Sequence, residues 1–357
     1  MQLLMNSFER GYMMGRRQLL KSNSAVWALI VLVLLGACSA ENVSSTSSEV
    51  SANETQTLTL AHIHNDASPV YQSLEEFADK VEEKTDGSVK IKIYGEGVLG
   101  GETKVMELVQ NGVIDMTKVN GGVVSNFDEK FSVFTLPYVF QNSAHFREFM
   151  NTDTVRDMYK GLEEAQLRGI TYYDAGARSF YTADKKIETP EDLKGLKIRV
   201  MNDVTSIETM EKLGATPTPM AATEVYTSLQ QGIIDGAESS PIALTDANHG
   251  EVAKQFSIDE HTRIPDFLIM SDDSWDKLSE PEQQALIEAG QETTKDHNER
   301  WDEMIAESKE QAKEEMGVEF HELDQTPFRK KVEPLIEERR ESNPELDRIL
   351  EDIELKE

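Results

Sequence analysis

Residues 57–94 read TLTLAHIHNDASPVYQSLEEFADKVEEKTDGSVKIKIY, and this stretch decides the fold class. Thr57 to Ile63 alternates apolar and polar side chains, as a strand does. From Ser68 the period changes: Val70, Leu74, Phe77, Ala78 and Val81 recur at helical spacing. Ser68-Pro69 supplies a cap and a proline for the first helical turn, and Gly87 supplies the stop. Val89 to Tyr94 then alternates apolar residues with lysine, which predicts a half-exposed strand. Further along, Thr103 to Gln110 reads as helix and Val113 to Val119 as strand. Gly169 to Ala175, Lys197 to Val200 and the segment around Ile264 to Met270 also read as strands, with helices between them. From Asp273 to the end the pattern is almost wholly helical, with Glu/Lys-rich faces. Alternation of this kind predicts an α/β protein. No fixed-period repeat interrupts it.

The 357 residues carry 36 Lys and Arg against 66 Asp and Glu, a formal charge of −30. Phosphate recognition needs a positive surface, so this balance argues against a nucleic-acid partner. The single cysteine, Cys38, excludes a disulfide scaffold and a cysteine-based zinc site. The length fits about two domains.

The N-terminus reads as an export address. Arg10, Arg16, Arg17 and Lys21 precede an apolar run from Ala25 to Leu35, too short to span a bilayer and suited to a signal h-region. The run ends in Leu35-Gly36-Ala37-Cys38, which resembles the bacterial lipoprotein box, in which the cysteine is lipidated and becomes the mature N-terminus. Gly15 to Lys21 also faintly resembles a twin-arginine motif. Ser39 to Gln56 is polar and Ser/Thr-rich and reads as a flexible tether.

Most candidate chemistry fails on inspection. Gly95-Glu96-Gly97-Val98-Leu99-Gly100 matches G-x-G-x-x-G between a strand and a helix. The preceding strand carries Lys90 and Lys92, however, whereas a central Rossmann strand should be nearly all apolar. The segment therefore reads as a loop whose backbone passes close to something. His62-x-His64 puts two imidazoles on one strand, but no third ligand of recognisable spacing follows, and hydrogen-bonding or packing roles are the alternative. Ser239-Ser240 has no nucleophile elbow around it.

A pattern of arginines remains. Between residues 57 and 299 there are six: Arg147, Arg156, Arg168, Arg178, Arg199 and Arg263. Arg178 follows a strand, and Arg199 lies within the strand of Asp192-Leu193-Lys194-Gly195-Leu196-Lys197-Ile198-Arg199-Val200. A buried cation in an apolar strand needs a partner. A guanidinium forks well onto a carboxylate, which can be a ligand's or that of a neighbouring acidic side chain.

Several segments, in order, resemble the solute receptors of TRAP transporters, the DctP family. They are Leu74, Phe77 and Ala78 with Thr85-x-Gly87; Leu99-Gly100; and Leu108-x-x-x-Gly112-x-x-Asp115. Val133-Phe134-x-Leu136-Pro137-Tyr138, Pro190 to Val200 and Gly214-Ala215-x-Pro217-x-Pro219-Met220 follow. Glu224-Val225-Tyr226-x-x-Leu229-Gln230-x-Gly232-x-x-Asp235-Gly236-x-Glu238 completes a likeness from Leu58 to Asp324.

The resemblance implies two α/β lobes, joined by crossing strands and a long helix, that close on one ligand. With the N-terminal reading of a signal peptide at 1–37 and a tether at 38–56, it implies a first lobe of 58–175 with 265–303, and a second of 176–264 with 304–357. The family's arginine fork corresponds to Arg199, its second arginine to Arg178, and a pocket residue to Asn202. Ser239 stands where relatives commonly carry asparagine, and Ala222 where some carry an aromatic side chain. Glu102, Lys118 and Asn120 fall at or beside first-lobe contact positions, and His64 completes the candidate set.

The expected function is an extracytoplasmic, lipid-anchored receptor that binds an organic acid and delivers it to a TRAP permease, with no cofactor and no catalysis. Shorter side chains at 222 and 239 leave more room, and mixed acidic and basic residues suit a carboxylate with several hydroxyls, so a hexuronate is favoured. A C4-dicarboxylate is the alternative ligand. A surface enzyme acting on sugar acids, and a sensor ectodomain or adhesin, are the alternative classes.

Overall fold

The structure, a computed structural model, describes residues 55–66 and 68–356. The expected signal segment, Cys38 and nearly all of the expected tether lie outside the described residues. Among the described residues eleven strands form two sheets: β1 Gln56–Ala61, β2 Val89–Tyr94, β3 Met116–Asn120, β4 Leu167–Tyr173, β5 Ala177–Thr182, β6 Lys197–Val200, β7 Thr216–Pro219, β8 Gly236–Ser239, β9 Gln255–Arg263, β10 Asp266–Ser271 and β11 Glu319–Glu322. The first sheet runs β2-β1-β3-β10-β4 and the second β11-β9-β5-β8-β6-β7.

The opening stretch folds as its pattern predicts. β1 and β2 pair in parallel, and the helix Pro69–Lys84 between them buries Val70, Leu74, Phe77 and Val81. Asp86 and Gly87 turn the chain with positive φ, which glycine adopts without steric penalty. β2 is the edge strand, which explains its outward lysines and its difference from the interior strand that precedes a dinucleotide loop. In the loop that follows, a Cβ on Gly95 would lie 3.0 Å from the His64 carbonyl oxygen and 3.1 Å from the His62 ring.

The chain passes between sheets at β4 to β5 and returns at β9 to β10. These strands are neighbours on both sides: β4 pairs with β10 in the first sheet, and β5 with β9 in the second. The helix Glu280–Glu314 adds a third connection. It starts at a Ser279–Glu282 capping box, packs Leu286 and Ala289 on the first sheet's core, and ends with Ala312 in the second sheet's core. Among the described residues no helix is long and apolar enough to cross a membrane.

In the C-terminal region two features depart from the sequence reading. The C-terminal region is not wholly helical: Gly317, with φ 69, ends the long helix and lets β11 add to the second sheet beside β9. The last helix, Pro344–Glu354, packs Leu346, Ile349, Leu350 and Ile353 into the first-lobe core with Phe146 and Phe149. Assigning all of 304–357 to the second lobe therefore misplaces this helix. Its four apolar positions at helical spacing fix that it buries a face but not which core receives it.

Candidate functional site

A cavity of about 350 Å³ opens between the two sheets and is lined from both. His64, Glu102, Lys118, Asn120, Arg178, Arg199 and Ser239 all line it. Asn202 does not. It is exposed on an adjoining groove, where its carbonyl accepts from Asn126 Nδ2 at 2.9 Å. The structure thus brings together seven of the eight candidate ligand residues and leaves the eighth at the rim.

The second-lobe wall is set by strand order. β8 lies between β5, which carries Arg178, and β6, which carries Arg199. Glu238 on β8 pairs with Arg178: Nε donates to Oε2 at 2.5 Å, and Nη2 donates to Oε1 at 3.0 Å and to the Glu238 carbonyl at 2.6 Å. Behind this pair, His261 Nε2 lies 3.5 Å from Glu238 Oε2, and His261 Nδ1 lies 2.9 Å from Asp259 Oδ2. Burial alone would lower the His261 pKa, but Asp259 and Glu238 outweigh it and push it up to about 9. Burial alone would raise the Glu238 pKa, but Arg178 and His261 hold it at about 2. Arg178 is thus neutralised within the protein.

Arg199 is different. It is equally buried, yet Nε and Nη2 both donate to one neutral acceptor, the Met220 carbonyl, at 3.1 and 2.9 Å. No carboxylate oxygen among the described residues lies within 4.0 Å of it. Burial lowers its pKa; Glu238 partly offsets this and Arg178 adds to it. The carbonyl fixes one side of the fork and leaves the rest of the guanidinium at the cavity wall.

The first-lobe wall centres on buried Lys118. Three acceptors surround its ammonium: Asp266 Oδ2 at 2.9 Å, His64 Nε2 at 2.9 Å and Glu102 Oε1 at 3.2 Å. Burial disfavours the charge, but Asp266 and Glu102 outweigh it and the Lys118 pKa ends above its usual value. Asn120 Nδ2 donates to Asp266 Oδ1 at 3.2 Å, and the Asn120 backbone N–H donates to Glu102 Oε1 at 3.2 Å. An ammonium can only donate, so His64 Nε2 is the acceptor and Nδ1 carries the proton given to Asp246 Oδ2 at 2.9 Å. Asn65 Nδ2 also donates to the Asp246 carbonyl at 2.7 Å and to Oδ1 at 2.9 Å. His64 and Asn65 follow β1, whereas Asp246 ends the helix Ile242–Asp246 after β8, so these bonds cross the cleft. His62 lies aside: it packs edge-on against Tyr71, and burial, with His64 and Lys118 adding to it, lowers its pKa to about 3.

Sequence reasoning missed Asp246, Asp266 and Trp301 at this cavity. Asp266 had a readable signal, since it opens the apolar strand Asp266–Ser271 much as Arg199 sits in its own strand. Asp246 and Trp301 had none; they lie on helices whose sequence does not reveal their packing.

Residues 60–343 match the bacterial extracellular solute-binding proteins of family 7, DctP. The chain belongs to that family. The YiiZ protein of Salmonella typhimurium is 42% identical over 280 residues, spanning 78% of this chain and 85% of that protein. Among solved structures, a TRAP periplasmic solute-binding protein of Anaerococcus prevotii with bound D-glucuronate superposes with a TM-score of 0.82 at 35% identity, covering 85% of this chain and 98% of that one. Another, from a Sulfitobacter species with bound β-D-galacturonate, gives a TM-score of 0.79 at 35% identity, covering 83% and 98%. This DctP-family chain is therefore a two-lobe extracytoplasmic solute receptor of the TRAP type and not an enzyme. The expected family, fold and receptor class hold.

Proposed function

We propose that this receptor binds a hexuronate in the interlobe cavity through Arg199, and hands it to a TRAP permease. The observation that carries the reading is the buried Arg199 guanidinium, fixed by the Met220 carbonyl and lacking an internal carboxylate. A ligand carboxylate supplies the missing countercharge through charge-assisted hydrogen bonds, each of about 1.5–3 kcal/mol. Arg178, neutralised by Glu238, lines the same second-lobe wall, as does Ser239. Lys118, Asn120, Glu102 and His64 form the opposite wall, and Asn202 the rim. The lobes divide at 175/176 and again at 264/265. Ligand contact with both walls favours the closed form by differential binding.

Glucuronate and galacturonate in the related receptors support a sugar acid over a C4-dicarboxylate. Calorimetric titration with D-glucuronate, D-galacturonate, succinate and malate tests this. Hexuronate binding that disappears in Arg199→Ala is expected; binding of C4 acids alone overturns it. We further propose that residues 1–37 are removed on export, that Cys38 is lipidated, and that 38–56 tether the receptor to the outer face of the membrane. Mass spectrometry of the mature N-terminus tests this, and an unmodified Cys38 rejects it.

A further inference from the structure

The first-lobe wall of the cavity, facing the wall that carries Arg199, has unusual donor and acceptor bookkeeping. Lys118 has three protons, and three protein acceptors lie within 3.2 Å of its nitrogen. It has no proton left for a ligand. The carboxylates around it differ in what they leave open. Asp266 accepts at Oδ1 from Asn120 and at Oδ2 from Lys118. Asp246 accepts at Oδ1 from Asn65 and at Oδ2 from His64. Glu102 receives both of its partners, Lys118 and the Asn120 N–H, on Oε1. Among the described residues nothing donates to Glu102 Oε2, although Glu102 lines both the cavity and the groove at its mouth.

We propose that Glu102 Oε2 is the specificity-determining group on this wall, accepting a ligand hydroxyl and rejecting a second carboxylate. The inference rests on the hexuronate reading above and deepens it. A sugar hydroxyl brings the proton that Oε2 lacks. An ionised carboxylate brings none and adds like charge where one ammonium already faces two carboxylates, with Asp246 a third on the far side of the His64 ring. Lys118 is then a positioning residue: it holds Glu102 and His64 in place and touches no ligand. The cleft is polarised between its walls, with a cation on the second-lobe wall for a single carboxylate and an acceptor on the first-lobe wall for hydroxyls. That arrangement selects monocarboxylate polyols over dicarboxylates of similar length.

The test compares wild type, Glu102→Gln and Glu102→Asp by calorimetry with D-glucuronate, D-glucarate and succinate. D-Glucarate keeps the configuration of the glucuronate hydroxyls and turns the anomeric carbon into a second carboxylate, so it isolates the rejection. In wild type, D-glucuronate should bind and both dicarboxylates should bind at least about 100-fold more weakly. Glu102→Gln removes the charge and offers a donor; D-glucuronate affinity should fall about tenfold while D-glucarate affinity rises about tenfold. Glu102→Asp retracts the oxygen but keeps the charge, so D-glucuronate should weaken with the dicarboxylates still excluded. An unchanged glucuronate-to-glucarate ratio in Glu102→Gln, with wild type binding D-glucuronate, overturns the role of Glu102 alone. Failure of wild type to bind any hexuronate overturns the proposed function and this inference together. Circular dichroism on both variants establishes that a lost signal is not a lost fold.

Discussion

The two sides of β8 treat the same side chain in opposite ways. On the β5 side Arg178 is forked onto Glu238 and backed by His261 and Asp259; on the β6 side Arg199 meets only a backbone carbonyl. Both are buried to a similar degree, so burial alone does not separate a structural ion pair from the proposed ligand anchor. Pairing does. A neutralised cation stabilises the lobe whether or not ligand is present, whereas an uncompensated one is costly until an anion arrives.

The largest effect expected from this contrast is on stability. Arg178→Leu strands Glu238 and should destabilise the fold by about 3–5 kcal/mol in denaturant titration. Arg199→Leu should change stability by less than about 1 kcal/mol, because relief of desolvation opposes loss of the Met220 bonds. The same substitution should weaken hexuronate binding at least about 100-fold by calorimetry. If both variants unfold the protein alike, the contrast is broken.

A pH scan of the thermal midpoint sharpens it. His261 is raised from 6.5 to about 9, so its contribution is fully present below pH 6.5 and is lost as pH rises through 9. Glu238 is lowered from 4.5 to about 2, so its contribution is present above pH 4.5 and is lost as pH falls through 2. His261→Asn should flatten the alkaline limb and leave the affinity of Arg199 for ligand nearly unchanged. The smallest effect is at the cleft-crossing contact: Asp246→Ala removes the carboxylate facing His64 and Asn65, leaves the backbone carbonyl that Asn65 also meets, and should weaken ligand affinity about fivefold.

How much of this was legible depends on whether an element's character is local. The strand-helix-strand at 57–94 was legible because its periodicities are strong and its helix carries its own start and stop. β7 was not, because Thr216-Pro217-Thr218-Pro219 reads as a non-strand; it exists because it lies at the edge of the second sheet, where proline's missing N–H is tolerated. β5 and β8 were missed for a related reason: each carries a charge, Arg178 or Glu238, that the other makes tolerable, with His261 behind. At the site, Arg199 was visible as a cation in an apolar strand. Which arginine had an internal partner was not visible, because that depends on the register of β5 against β8, with Phe180 opposite Glu238.

The helix Glu280–Glu314 is anchored in both cores and is about 50 Å long at helical rise. Any swing of one half of the molecule against the other must flex or slide this rod, so it works as a leaf spring running alongside the two strand crossings. Substitutions along its outer face can then retune the balance between gaping and shut without altering a single atom that lines the cavity.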